Sequence, residues 1–391
     1  MPERLYADNA ATSFPKPPAV WDAMRAYADE LGASAGRGAY REAIETGELL
    51  TRCRRRLARL INAASELELV FLHNCSAALN QAIKGLLRPG DHVVTTVMEH
   101  NSVLRPLNAL SASDRVDVTY VQVDSATTLL DPARFFEAIR PDTKLICLTH
   151  ASNVTGALQP IAVVGAEAKR RGIPFLVDAA QTAGHVPIDV RAMNIDLLAM
   201  PGHKGLMGPL GTGALYIRSG LEKRITPLVH GGTGSVSELP VQPDFMPDRF
   251  ESGSHNAIGI AGLNAALEWL DQKKVPACRE HDLELSRGFL HASREIPGLR
   301  VFGPAEPDDR VAVFSVSVEG LEPAELAALL ESEFGILTRP GIHCAPLAHR
   351  TIGTDAAGGT TRLSFGVYNT PDDVARCVDA LTRLASADTT V

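Results

Sequence analysis

Between about residues 68 and 220 the chain repeats one pattern, in which a short and almost wholly apolar β-rich run is followed by a stretch with helical spacing. The runs are ELVFLH, DHVVTT, VDVTYVQV, KLICLTHAS, PFLVDAA, IDLLAM and GALYIR, with helices expected from Ser76 and over Val163–Arg171. Strands with no polar face need covering on both sides, so the alternation predicts a mostly parallel sheet wrapped by helices. Beyond about residue 257 the pattern changes. Helices over Ile258–Leu270 and His281–Arg294, a strand VAVFSVSV, a helix PAELAALLESEF, a strand TRLSFGV and a last helix PDDVARCVDALTRL predict a smaller α+β unit. At 391 residues the chain exceeds the roughly 250–300 that one hydrophobic core supports. The expected division is an N-terminal arm (1–20) packing with the small domain, a large domain (21–256) and a small C-terminal domain (257–391).

Charge narrows the partners. Thirty-eight Lys and Arg against 46 Asp and Glu leave −8, which gives no general attraction for nucleic acid or an anionic membrane. The one basic run, Arg52–Arg56, lies among Glu45, Glu48 and Glu66 and reads as a solvated or subunit-facing surface. No apolar run approaches the roughly 20 residues of a membrane span, and the N-terminus MPERLYADNAATSF lacks a signal-peptide core, so a cytoplasmic address is expected. The six cysteines (53, 75, 147, 278, 344, 377) show neither CxxC nor zinc-like spacing. No disulfide framework and no structural metal are expected, and most of these thiols should be buried.

In open α/β sheets ligands bind outside the carboxyl ends of the strands, and four such ends carry chemistry. After ELVFLH, Asn74-Cys75-Ser76-Ala77 opens a helix that would suit a phosphate or simply cap itself. After DHVVTT, Glu99-His100 brings an imidazole able to stack on a flat ring or move a proton, if it is not a plain surface group. After PFLVD, Asp178 calls for a cationic or donor partner, and either a helix cap or a protonated ring nitrogen satisfies it. Finally, Lys204 sits in a glycine-rich turn within IDLLAMPGHKGLMG, where partial desolvation would make its amine a nucleophile toward a carbonyl.

Each feature alone has a bland reading as an ordinary cap or loop residue; together they match one need. Pyridoxal 5'-phosphate (PLP) requires a lysine for its aldehyde, an acid for its ring nitrogen, a stacking partner for its face and a helix N-terminus for its phosphate. The smaller unit adds Arg339-Pro340-Gly341-Ile342-His343-Cys344-Ala345-Pro346, a loop whose cysteine is either a half-buried structural thiol or a thiolate assisted by His343. Arg362, on a nearby strand, offers a fork for a substrate carboxylate or a surface ion pair.

With these residues in view, the chain resembles the class V aminotransferase-fold PLP enzymes, and among them the SufS-like, selenocysteine-lyase-like (group II) cysteine desulfurases. The resemblance runs from YADNAATS to Val367-Tyr368-Asn369-Thr370. It is carried by Glu99-His100, HASNVTG (150–156), VDAAQ (177–181), GHKG (202–205), ESGSHN (251–256), RPGIHCA (339–345) and RLSFGVYNT. It implies the type I PLP-dependent transferase fold, with a mostly parallel, seven-stranded-type sheet in the large domain and a smaller α+β domain.

The same resemblance implies the roles. Lys204 would hold PLP, Asp178 pair with the pyridine nitrogen, His100 stack on the ring and Gln181 contact its phenolic oxygen. Ser76, Ala77 and His203 would hold the phosphate, helped by Ser254 from the partner subunit of a homodimer. Asn153 and Arg362, with Arg339, would hold the substrate, and Cys344 would accept sulfur from L-cysteine and pass it to an acceptor protein, with iron–sulfur cluster or other thio-cofactor assembly downstream. Selenocysteine lyase, a C–S lyase on a related thiol and a class V aminotransferase are the alternatives. The chain departs from the family where Met200-Pro201 replaces a hydroxyl residue before GHK, where Tyr40 replaces a frequent His, and where Cys75-Ser76 replaces two threonines.

Overall fold

The computed structural model describes residues 3–36 and 38–387. The chain enters through β1 (Leu5–Tyr6), α1 (Pro18–Ala26) and α2 (Arg41–Leu60). The central sheet and its helices follow as β2 (Leu69–Leu72), α3 (Cys75–Leu86), β3 (His92–Thr96), α4 (Asn101–Asp114), β4 (Asp117–Val121), α5 (Pro132–Glu137), β5 (Thr143–Thr149), α6 (Ile161–Arg171), β6 (Phe175–Asp178), β7 (Leu197–Pro201) and β8 (Gly213–Ile217). These seven strands coincide with the seven apolar runs. The chain continues through α7 (Ala257–Lys273), α8 (Val275–Ser293), β9 (Leu299–Val301), β10 (Val313–Val318), α9 (Pro323–Phe334), β11 (Ile336–Leu337), β12 (Arg339–Gly341), α10 (Pro346–Ile352), β13 (Thr360–Ser364) and α11 (Pro371–Ala387).

The large sheet has the order β2-β8-β7-β6-β5-β3-β4. Strands β7, β6, β5, β3 and β4 are mutually parallel, and only β8 opposes its neighbours β7 and β2. The carboxyl ends of β2, β3, β5, β6 and β7 therefore share one edge. Asp178 is the last residue of β6, and Lys204 comes three residues after β7 ends. Strands β3, β6, β7 and β8 are buried throughout, as their apolar sequences require. The smaller layer is an antiparallel sheet in the order β12-β13-β10-β9, over a core including Leu285, Phe289, Phe314, Leu326, Phe365 and Leu381. Phe289 and Phe314 meet with ring centroids 4.4 Å apart.

Two placements differ from local expectation. Helix α7 packs against α1 and α2, and its Ile260, Leu263 and Leu267 join the core of the large sheet, whereas the small core takes in Leu5 and Ala7 of the arm and then resumes at Leu285 in α8. We propose that the two units part within α8 rather than at residue 257. Helical spacing marks an apolar face without saying which layer will cover it. The basic run also differs, because Arg54 is buried rather than solvated. It pairs with Glu251, donates from Nε to Leu69 O at 3.3 Å and lies 4.4 Å over the Phe71 ring. Arg55 and Arg56 are matched by Glu66 and by Glu268 and Asp271. Among the described residues no helix is long and apolar enough to cross a membrane.

The N-terminal arm touches both layers. β1 pairs in parallel with β11, and Ala10 N donates to Ser364 Oγ of β13 at 2.9 Å. A few residues later, Thr12 and Ser13 reach the Lys204 turn.

Candidate active site

One cleft at the shared strand edge is lined by Ser76, His100, Asn153, Asp178, Gln181, His203, Lys204, Arg339 and Arg362, together with Cys75 and His343. Residues far apart in sequence meet there because parallel strands deliver their carboxyl ends to one side. Burial, reinforced by the Arg362 guanidinium, holds the Lys204 ammonium below the ordinary lysine range, against the pull of Asp178. A Cβ on Gly205 would stand 2.4 Å from Ala183 O, so only glycine lets the lysine turn pack this closely.

Asp178 is 3% exposed, and burial pushes its carboxyl up. Oδ1 accepts from the Ala180 amide at 2.9 Å and faces Cys75 Sγ at 3.6 Å. No cationic side chain pairs with it among the described residues, so the acid stands ready for a cation. His100 caps α4: Nδ1 accepts from the Ser102 amide at 3.0 Å, which leaves the ring proton on Nε2. Burial and nearby cations, Lys204 first, pull its pKa down to about 4, so the ring is neutral at pH 7.

At the start of α3, Asn74 Oδ1 accepts from the Ala77 amide at 2.8 Å, so this helix supplies its own cap and the Ala77 donor is already engaged. Ser76 Oγ meets Ser102 Oγ at 2.6 Å. Gln181 Nε2 donates to Ala10 O at 3.1 Å. Among the described residues the buried Nδ1 atom of His203 has no hydrogen-bond partner. Ser254 is exposed and lines a neighbouring groove with Ser76 and Ala77 rather than the Lys204 cleft.

The sulfur side is built on an unusual backbone. His343 and Cys344 both adopt left-handed φ, +50° and +59°, and the loop is fastened where Cys344 O accepts from the Asn101 amide at 2.7 Å. Asn153 Nδ2 donates to His343 O at 2.6 Å. Cys344 is thereby exposed at the rim, beside the start of α4. His343, one of the two readings offered for the thiolate, has its ring engaged with other partners. Its ring is buried, with Nε2 against Arg339 O at 2.9 Å and Nδ1 against His349 Nε2 at 3.3 Å, and burial drives its pKa down to about 2. The cation at the sulfur is Arg339, whose Nη2 lies 3.9 Å from Sγ. Arg362 is 1% exposed, with Nη1 on Asn153 O at 3.0 Å, Nη2 on Asp8 at 2.7 Å and a buried Nε that has no partner among the described residues. Asp8 therefore already occupies part of the fork expected for substrate.

The arm residues Asp8, Ser13 and Lys16 escaped the sequence reading. Nothing local marks them, since their partners lie about 190 to 350 residues away.

The class V aminotransferase family profile matches residues 5–377. A probable cysteine desulfurase of Methanothermobacter thermautotrophicus is 35% identical over 388 residues, 98% of this chain and 95% of that protein. The cysteine desulfurase of Serratia proteamaculans is 31% identical, covering 97% and 93%. Among solved structures, the apo cysteine desulfurase of Thermococcus onnurineus superposes with a TM-score of 0.90 at 31% identity, covering 98% of this chain and 95% of that one. An S-sulfonic acid form of an Escherichia coli cysteine desulfurase gives 0.86 at 29%, covering 98% and 94%. The family match over nearly the whole chain, this extent of identity and the close superposition have one reading: the chain belongs to the class V aminotransferase family, among relatives named cysteine desulfurases.

Proposed function

We propose that this protein is a PLP-dependent cysteine desulfurase that converts L-cysteine to L-alanine and takes the sulfur onto Cys344. One observation carries the reading: the cleft that gathers Lys204, Asp178 and His100 also takes in Arg339, which stands at the sulfur of the exposed Cys344. The residues fit the cofactor. A buried Asp178 without a cationic partner suits a protonated ring nitrogen, and the unpartnered His203 Nδ1 suits an anionic oxygen. Lys204 would hold PLP, Asp178 the ring nitrogen, His100 the ring face, Gln181 the phenolic oxygen, and Ser76 with His203 the phosphate. When bound, PLP supplies an electron sink that makes the Cα–H bond of an amino acid breakable.

This chain's residues do the rest. Arg362 and Asn153 orient the substrate carboxylate. The Lys204 amine, kept deprotonatable by burial and by Arg362, takes the proton from Cα. The Cys344 thiolate attacks the substrate sulfur; the Cβ–S bond breaks, an S–S bond forms, and the carbon side keeps the bonding electrons and takes up a proton. L-cysteine and the Cys344 thiol thus become alanine and a Cys344 persulfide. An exposed sulfur on a fastened loop supports onward transfer to an acceptor protein. The family resemblance supports a homodimer in which Ser254 of a second copy completes the phosphate site, and Ser254 is exposed on this chain.

The test is Cys344→Ala, with alanine counted from L-cysteine and from selenocysteine. Cysteine turnover should fall by at least about a hundredfold, with selenocysteine turnover partly retained because selenium leaves more readily than sulfur. Alanine formed from cysteine at the wild-type rate would remove Cys344 from the reaction.

A further inference from the structure

Lys16 is 9% exposed, and among the described residues it forms no ion pair. A buried ammonium without an acid is costly, and a neutral side chain would fill the same space without that cost. Its two acceptors show where the charge is directed. Nζ donates to His203 O at 2.7 Å and to Ser13 Oγ at 2.7 Å. Ser13 Oγ in turn donates to Lys204 O at 2.9 Å. The Ser13 amide and Thr12 Oγ1 both donate to His203 O at 3.0 Å. The carbonyls of the two residues at the heart of the GHKG turn are thus gripped by one short stretch of the arm, with a charge-assisted bond at its centre.

The grip has fixed ends. Upstream, Asp8 holds Arg362 at 2.7 Å and Ala10 O accepts from Gln181 at 3.1 Å, so the same stretch of arm touches the cleft at three points. Behind the turn, Gly205 lies too close to Ala183 for any side chain, so the turn has no room to retreat.

Resting on the PLP reading above, we propose that Lys16 and Ser13 are positioning residues for Lys204, forming a clamp that sets where the cofactor-bearing amine stands through the main chain of its turn. Neither touches the reacting atoms. Their effect is on the orientation of whatever Lys204 carries, and a small displacement of a reacting group lowers rate more than affinity.

The experiment uses full-length protein loaded with PLP and compares wild type, Lys16→Met and Ser13→Ala. It reads visible circular dichroism of the bound PLP, the rate of PLP release on dilution, kcat and KM separately, and thermal unfolding with and without PLP. In Lys16→Met the clamp predicts a reduced or reshaped visible dichroic band, PLP released about tenfold faster and kcat down about tenfold, with KM within about twofold. Ser13→Ala, which keeps the ammonium on His203 O, should change the same readouts in the same direction by less. If both variants unfold at lower temperature by equal amounts with and without PLP while the dichroic band and kcat stay at wild-type values, Lys16 is only a structural brace and the proposal fails. If Lys16→Met does not fold, the Ser13→Ala dichroic band decides alone. Borohydride trapping with peptide mapping keeps the two readings apart: no PLP on Lys204 of the wild type overturns the cofactor assignment and the clamp with it. PLP on Lys204 together with unaltered variants overturns the clamp only.

Discussion

Glu99, next to His100 in the sequence, is buried outside the cleft lining. Its Oε1 accepts from Thr96 Oγ1 at 2.8 Å and from the Thr149 amide at 3.1 Å. Burial pushes its pKa up to about 8 from an ordinary 4.5. The folded chain therefore binds this proton more tightly than the unfolded one. The stabilisation is complete below about 4.5 and is lost as pH rises through about 8. Glu99→Gln, which mimics the protonated form, should leave stability near pH 5 almost unchanged, and near pH 9 raise it by an amount on the order of a few kcal/mol. Urea denaturation of both proteins across that range checks this; a difference that does not grow with pH would refute it. At this scale Lys204, Asp178 and His100 were legible as candidates because each stands at or a few residues past the carboxyl end of a recognisable strand. His343 shows that neighbours in sequence need not share partners: its ring bonds to Arg339 O, while the cation at the sulfur is Arg339.

Elements obey a different logic. The seven strands could be placed from their apolar runs, yet nothing local marked β8 as the one that opposes its neighbours, or α7 as a helix of the large core. Contact between layers also reverses expectations drawn from propensity. Gly165 lies in the middle of α6, where alanine would ordinarily favour the helix by about 1 kcal/mol. A Cβ there would stand 2.0 Å from Met193 O, a main-chain atom that cannot swing aside. Gly165→Ala should therefore destabilise the protein by about 1–3 kcal/mol, the usual scale of overpacking. Chemical denaturation would show a lower midpoint; an unchanged or higher midpoint would mean that the loop at Met193 yields freely.

The whole molecule is organised by the arm that crosses from β11 and β13 to the Lys204 turn, and by a groove whose completion we assign to a second copy. The groove joins Ser76 and Ala77 to the exposed Ser254, and Val229, one of its lining residues, is 64% exposed. Sedimentation should show two chains per particle, and Ser254→Ala should weaken PLP retention without dissociating them. A monomer that retains PLP and turns over cysteine normally would refute the shared site. The sequence by itself settled the alternation of strands and helices, the glycine-bounded turn that carries Lys204 and the presence of a loop cysteine, because apolar period and glycine-bounded turns are local properties. Tertiary structure alone decided that Arg339 rather than His343 attends that cysteine, that Asp8 shares Arg362, and that Lys16 grips the turn before Lys204. Those contacts join residues from five to more than 350 positions apart, and what brings them together is the stacking of layers and the direction of the main chain, which no local pattern records.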